Sequence, residues 1–255
     1  MESRNVLVTG AGSGLGRGIA LDLVGRGHRL FLLDKDGDAL QETVGLLGDG
    51  GACLGAEVVD VSSGAQVEGF FAGLHGQAVD VLVNNAGLQH VSPIADFPEE
   101  RWDVLMDVML KGSFLLSKAA LPGMRANGYG RIVNIGSIHS LVASPFKGAY
   151  VAAKHGLHGL TKVIALETGD VDVTANTICP AYVRTPLVDS QIAAQAKANN
   201  MTEADVIAKI MLEPQPKKAF ITVEEVAATI AFLMSREARN ITGQSIAIDG
   251  GWTAR

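Results

Sequence analysis

The sequence predicts an α/β protein: one doubly wound parallel sheet with helices on both faces. Three observations carry that prediction. Short apolar runs alternate with longer amphipathic stretches along the whole chain. A glycine-rich turn stands where the first such run meets the first such stretch. No fixed-period repeat and no Pro/Ser-rich linker divides the 255 residues, so a single domain over 1–255 is expected.

Residues 6–9 read as the first strand and 15–26 as the helix that follows. Further strands read at 30–34, near 54–59, at 79–84, 131–136, 173–179 and 245–248, each a short run bounded by turn residues. Helical patterns fall between them, near 38–47, 64–74, 99–125, 150–167 and 223–234. Right-handed crossovers through those helices make the strands parallel. The rhythm breaks at 180–221, which holds short helical pieces such as 202–211, then Glu213-Pro214-Gln215-Pro216. A long excursion inside a compact domain is usually functional. It reads as a substrate lid near 181–220, with an oligomer-contact arm as the alternative.

A hydrophobic content of 47% allows a sizeable core, and 21 basic against 27 acidic side chains leave a net charge of -6. That balance favours solubility and offers no basic footprint for nucleic acid. No apolar run is long enough to cross a bilayer. The opening MESRNVLVTG passes straight into a strand pattern without the apolar core of a signal peptide, so a cytoplasmic protein is expected. Cys53 and Cys179 belong to no Cys-x-x-Cys or Cys/His cluster, which points away from a metal site and towards buried, reduced thiols.

The turn reads Thr9-Gly10-Ala11-Gly12-Ser13-Gly14-Leu15-Gly16. Gly10, Gly14 and Gly16 permit a tight turn and close backbone approach to a phosphate, and the helix start presents free N–H groups to a pyrophosphate. The second strand ends at Asp34, at the usual distance for a ribose contact. A carboxylate there accepts from the adenosine hydroxyls and repels a 2′-phosphate, which favours NAD over NADP. Asp60-Val61 ends the third strand, where an Asp contacts adenine or caps the next helix. Asn84-Asn85-Ala86-Gly87 closes the fourth; its Asn side chains can tie strand ends together, while Ala86 and Gly87 let a cofactor lie close.

The fifth strand runs into Ser137, and thirteen residues later comes Tyr150-Val151-Ala152-Ala153-Lys154. Tyr150 and Lys154 are four apart on a helix and share a face. A free tyrosine, with a pKa of about 10, is a poor base; a neighbouring ammonium is expected to lower that value. Ser137 can hydrogen-bond a substrate oxygen.

At these residues the sequence resembles the short-chain dehydrogenase/reductase family, over essentially the whole chain: the 9–16 turn, 84–87, Ser137, Tyr150-x-x-x-Lys154, Pro180 and Asp249-Gly250-Gly251. The resemblance implies a Rossmann-type fold, with Tyr150 as general acid/base and Lys154 also on the nicotinamide ribose. Thr185 would hold the carboxamide. The candidate cofactor set is then Gly10, Ser13, Gly14, Leu15, Gly16, Asp34, Asp60, Val61, Asn84, Ala86, Gly87, Tyr150, Lys154, Pro180, Val183 and Thr185, and the candidate catalytic set is Ser137, Tyr150 and Lys154.

A closer resemblance is to bacterial D-3-hydroxybutyrate dehydrogenases. It rests on Gln89-His90-Val91-Ser92-Pro93-Ile94, Ser137-Ile138-His139, 141–144 leading to Lys147, 149–156, Val183-Arg184-Thr185-Pro186-Leu187-Val188 with Gln191, and Gly250-Gly251-Trp252-Thr253-Ala254-Arg255. Such enzymes are tetramers that interconvert D-3-hydroxybutyrate and acetoacetate with NAD, so a homotetramer is expected. By position Gln89, protonated His139, Lys147 and Gln191 would bind the carboxylate of a small-molecule substrate, beside Ser137, Tyr150 and Tyr182. Two departures stand out. Met109 lies in the stretch where the family has an Asn that holds a relay water, and Ala181-Tyr182 replaces the usual Gly-Trp, whose Trp packs on the substrate methyl. They leave two alternatives: a dehydrogenase of another hydroxy acid, polyol or 3-ketoacyl substrate, and an NAD(H)-binding sensor with weakened catalysis.

Overall fold

The computed structural model describes residues 2–48 and 50–254, without the side chain of Leu187. Arg255, which closes the C-terminal run, lies outside the described residues. Seven parallel strands form one sheet in the order β3-β2-β1-β4-β5-β6-β7. They are β1 (Asn5–Thr9), β2 (Arg29–Asp34), β3 (Cys53–Val58), β4 (Val81–Asn84), β5 (Gly130–Ile135), β6 (Val173–Pro180) and β7 (Ser245–Ile248). The strand order reverses between β1 and β4, and in open parallel sheets a ligand crevice forms outside the strand carboxyl ends at such a reversal.

The nearly continuous apolar character of the central strands follows from burial on both faces. Val6, Val8, Val81, Val83, Val133 and Ile135 point to one side, against Ile19 and Leu23 of α1 (Gly14–Gly25) and Val226 and Ile230 of α9 (Val223–Met234). Leu7, Leu82 and Ile132 point to the other. There they meet Val67 and Phe70 of α3 (Gly64–Gly73), Leu116 and Met124 of α5 (Gly112–Asn127), and Ile164 of α6 (Gly148–Glu167). Helix α2 (Gly37–Leu47) follows β2 and is capped by Asp36, whose side chain accepts from Ala39 N. Helix α9 starts in a reciprocal box between Thr222 and Glu225.

The single helix expected at 99–125 is corrected. It comprises α4 (Glu99–Met106), a π-helical turn (Asp107–Lys111) and α5, which runs on to Asn127 and stops at Gly128, φ 68°. A π turn carries one residue more than an α turn and often marks a functional site. Here Met109 is buried within it, against Leu105, Ala149 and Ala153. The 180–221 excursion also holds more helix than its sequence suggested: α7 (Pro186–Asn199) precedes α8 (Glu203–Val206) and a second π turn (Ile207–Met211). Its signals were terminal ones, Thr185 before Pro186 at the start and Asn200 in the left-handed region at the end. Val188, Ile192, Val206 and Met211 give this segment a small core of its own.

A chain of buried amides and hydroxyls joins the elements beneath the strand ends. Asn84 Nδ2 donates to Asn134 Oδ1 at 2.8 Å, and Asn134 Nδ2 donates to Thr161 Oγ1 at 2.8 Å. Thr161 Oγ1 lies 2.8 Å from Thr177 Oγ1. The chain thus ties β4, β5, α6 and β6 together. Asn134→Ala removes the middle partner and leaves Asn84 Nδ2 with only a long bond to Ser117 Oγ at 3.5 Å, while Thr161 Oγ1 keeps Leu157 and Thr177. It is expected to cost about 1–3 kcal/mol in urea denaturation, with a larger loss than at an exposed polar site.

Candidate active site

A cleft of about 510 Å³ opens over the carboxyl ends of the strands. At one end lies the glycine turn. Gly10 and Gly14 have φ of +64° and +52°, which favours glycine, and a Cβ at Gly16 would lie 2.0 Å from the Gly10 carbonyl oxygen. Thr9 Oγ1 accepts from the backbone N–H groups of Asn85 and Ala86 at 3.0 and 3.1 Å. Asn85 Nδ2 donates to the Thr9 carbonyl at 2.9 Å. These bonds hold the turn against the end of β4. The N-cap of α1, Ser13, makes no side-chain cap hydrogen bond, so the first-turn N–H groups of α1 are left without a capping side chain where Ser13, Gly14, Leu15 and Gly16 line the cleft.

Asp34 Oδ2 accepts from Gly12 N at 2.8 Å and Oδ1 from Asp36 N at 3.0 Å, which fixes its carboxylate at the cleft edge. Asp60 Oδ1 accepts from the Ser62 N–H and hydroxyl at 2.9 and 2.6 Å, and these bonds hold its carboxyl below the usual range. The cap of α3 is Ser63, not Asp60. Asp60, Val61, Ala86 and Gly87 line the cleft, as do Pro180, Val183 and Thr185. Asn84 does not. Successive side chains on a strand point to opposite faces; Asn84 faces the buried amide chain, and Asn85, absent from the sequence-based set, takes the place at the cleft. The glycine cradle, the free helix start and Asp34 together fit a dinucleotide.

At the other end stand Ser137, just past β5, and Tyr150 and Lys154, one turn apart on α6. Lys154 Nζ donates to the Ile135 carbonyl at 2.6 Å and lies 5.6 Å from the centroid of the Tyr150 ring. Burial pushes the Lys154 ammonium down to about 8. Burial pushes the Tyr150 phenol up, and its hydrogen bond with Ser137 works against that rise. The expected lowering of the phenol is therefore corrected: in this cleft desolvation outweighs the hydrogen bond to Ser137.

Gln89, His139, Lys147, Tyr182 and Gln191 all line this end. His139 is corrected in its charge. Its Nδ1 lies 3.2 Å from Ser137 Oγ and its Nε2 2.8 Å from Ser144 Oγ. Burial, then the positive charge of Lys147, push its pKa down to about 3, so the ring is neutral rather than protonated. Trp252 also lines the cleft, its ring 6.0 Å from that of Tyr182 and 6.3 Å from that of His139. Sequence reasoning gave Trp252 no role. The signal was the Asp249-Gly250-Gly251 turn, in which both glycines have positive φ and Asp249 accepts from Gly251 N and Thr253 N.

Residues 10–253 match the family model described as enoyl-(acyl carrier protein) reductase. The chain belongs to the short-chain dehydrogenase/reductase family. This short-chain dehydrogenase is 45% identical to the D-beta-hydroxybutyrate dehydrogenase of Rhizobium meliloti (strain 1021), over 99% of this chain and 100% of that protein. It is 42% identical to the D-beta-hydroxybutyrate dehydrogenase of Cupriavidus necator, over 100% of both chains. The crystal structure of a variant actinorhodin polyketide ketoreductase with NADPH matches it with a TM-score of 0.93 and 31% identity, over 99% of this chain and 98% of that one. The short-chain dehydrogenase is thus an oxidoreductase on a nicotinamide-cofactor scaffold.

The neutral state of His139 has a consequence for stability. Its folded pKa of about 3 lies below the unfolded value of about 6.5, so between these values the unfolded chain binds a proton that the folded one does not. Stability is full above pH 6.5 and falls as the pH drops towards 3. His139→Gln is expected to lose less stability than the parent between pH 7 and pH 5, by up to roughly 2 kcal/mol, as read by urea unfolding at both values. Equal losses would show that His139 takes up a proton in the fold.

Proposed function

We propose that this short-chain dehydrogenase interconverts D-3-hydroxybutyrate and acetoacetate with NAD. The observation that carries the reading is the placement of Lys147 in the same cleft end as Ser137 and Tyr150. A small hydroxy acid has little apolar area with which to bind, so its charge must supply most of its affinity and orientation. The 42–45% identity to two D-beta-hydroxybutyrate dehydrogenases supports the same substrate and disfavours the polyol, ketoacyl and sensor alternatives.

The dinucleotide would lie along Gly10, Ser13, Gly14, Leu15 and Gly16, with its adenosine ribose on Asp34 and its nicotinamide half near Pro180, Val183 and Thr185. Asp34 supports NAD, because its carboxylate repels a 2′-phosphate. When bound, the nicotinamide accepts or supplies the hydride at C3 of the substrate. During oxidation the Tyr150 phenolate takes the carbinol proton, and during reduction the Tyr150 phenol gives it back to the forming alkoxide. Ser137 hydrogen-bonds the same oxygen and aligns it with Tyr150. The Lys154 ammonium favours the phenolate that Tyr150 becomes after losing its proton, and it holds the nicotinamide ribose. Lys147 binds the carboxylate by a charge-assisted hydrogen bond, and the Gln89 and Gln191 amides add neutral donors. Neutral His139, between Ser137 and Ser144, sets the position of Ser137 and offers no charge. The segment 181–220 acts as a lid over this end.

We place the enzyme in the cytoplasm as a homotetramer. The free thiols of Cys53 and Cys179 support a reducing compartment. Exposed Phe114 on α5 and exposed Val163 and Leu166 on α6 support association.

Lys147→Ala tests the substrate assignment. A lost hydrogen bond to a charged group is worth about 1.5–3 kcal/mol, so kcat/KM for D-3-hydroxybutyrate is expected to fall about ten- to a few-hundred-fold. A neutral secondary alcohol, assayed beside it, keeps its rate. Equal sensitivity of the two substrates would remove the carboxylate role.

A further inference from the structure

Tyr182 stands where the sequence resemblance leads one to expect a tryptophan, and its hydroxyl reaches the cation of the site. Lys147 Nζ donates to Tyr182 Oη at 3.3 Å and lies 5.4 Å from the centroid of the Tyr182 ring. The hydroxyl thus serves as an acceptor, and its own proton meets no acceptor among the described residues. A tyrosine hydroxyl donates and accepts at once, whereas an indole only donates. No tryptophan could therefore make this contact with an ammonium.

The wall behind the hydroxyl is fixed. The Tyr182 carbonyl accepts from Ile221 N at 2.9 Å, and its ring packs at 6.0 Å and 40° against that of Trp252. Trp252 is carried by a turn in which Asp249 Oδ2 accepts from the Thr253 N–H and hydroxyl at 2.8 and 2.6 Å. Lys147 is held from the other side. Its backbone pairs with Ser92 in an isolated bridge, and it caps the start of α6, the helix that carries Tyr150. The Lys147 backbone and the Tyr182 ring are therefore anchored, and their hydrogen bond sets the spacing of ammonium and hydroxyl. A carboxylate, with about four lone-pair positions on two oxygens, can take one N–H from Lys147 and the O–H from Tyr182.

We propose that Tyr182 adds a second carboxylate contact in this chain: its hydroxyl steadies the Lys147 ammonium and donates its own proton to the same substrate carboxylate. The pair forms a two-point clamp in which the hydroxyl orients the cation and the cation strengthens the hydroxyl as a donor. This inference rests on the carboxylate role given to Lys147 above.

The test compares Tyr182→Phe, Lys147→Ala and the double variant on D-3-hydroxybutyrate and on a neutral secondary alcohol, with NAD in excess. Tyr182→Phe keeps the ring against Trp252 and removes only the hydroxyl. It is expected to raise KM for the acid about ten- to a hundred-fold, with kcat little changed and the neutral alcohol unaffected. In the Lys147→Ala background the same change is expected to cost much less, because the two groups act on one carboxylate. Tyr182→Met, which fills similar space without a hydroxyl, should show the same rise in KM. If the Phe variant does not fold by near-ultraviolet circular dichroism, the Met variant carries the test. An unchanged KM for the acid, equal losses on acid and alcohol, or full additivity in the double variant would overturn the clamp. A Lys147→Ala enzyme that loses activity on the acid while Tyr182→Phe does not would overturn the clamp alone. A Lys147→Ala enzyme that spares the acid would overturn the carboxylate assignment and the clamp with it.

Discussion

The Lys154 ammonium lies on the cleft floor, only 5% exposed, and donates to the Ile135 carbonyl at 2.6 Å. Taking a charge out of water is costly unless it finds polar partners, and here burial lowers the affinity of the amine for its proton. The partner it has is the last carbonyl of β5. That one contact fixes the start of α6 against the strand end. One turn back along α6 the same geometry brings in Tyr150; just past β5 it brings in Ser137. The amide and hydroxyl chain from Asn84 through Asn134 to Thr161 and Thr177 locks the same elements from below. The reaction centre is therefore a consequence of how β5 and α6 are joined, and the cofactor turn of β1 and α1 is tied in through Thr9 and Asn85.

This arrangement separates two jobs in one cleft. The glycine turn, α1 and Asp34 present N–H groups and a carboxylate, which suit phosphates and ribose hydroxyls. The far end presents a neutral imidazole, two amides and the Lys147 cation, which suit a small anion. Tyr150 lies where the two halves meet. The position of Trp252, on a turn near the chain's end, means that the wall of the substrate half draws on residues far apart in sequence: 89, 139, 147, 182, 191 and 252.

The strand–helix rhythm was legible in the sequence because each parallel strand is buried on both faces and so reads as an unbroken apolar run. The start of α1 was legible to within one residue from the glycine turn, and that of α9 at Val223 from its helical pattern. The π turn at Met109 was not, because its hydrophobic spacing differs from an α-helix by a single residue. Helix α7 was missed because its apolar residues form no clear stripe, and only its ends carry signals. The glycine turn, Asp34, Ser137, Tyr150 and Lys154 were legible from motif spacing, whereas Gln89, His139, Lys147, Gln191 and Thr185 followed only from the family resemblance. Which of two adjacent Asn residues faces the cleft was decided by strand parity at 84 and 85. The charge state of His139 was not legible either, since it depends on burial beside Lys147. The upward shift of the Tyr150 phenol has the same origin: desolvation is a property of the assembled cleft.

The central claim is that Tyr150 moves the proton while the rest of the cleft binds. The direct test is NAD reduction by D-3-hydroxybutyrate in the parent and in Tyr150→Phe, with NAD affinity measured beside it by protein fluorescence. The account predicts a fall in kcat/KM of about 10²–10⁴-fold with NAD affinity retained. A parent enzyme that does not turn over the D acid, or a Tyr150→Phe enzyme that keeps most of its activity, would contradict it.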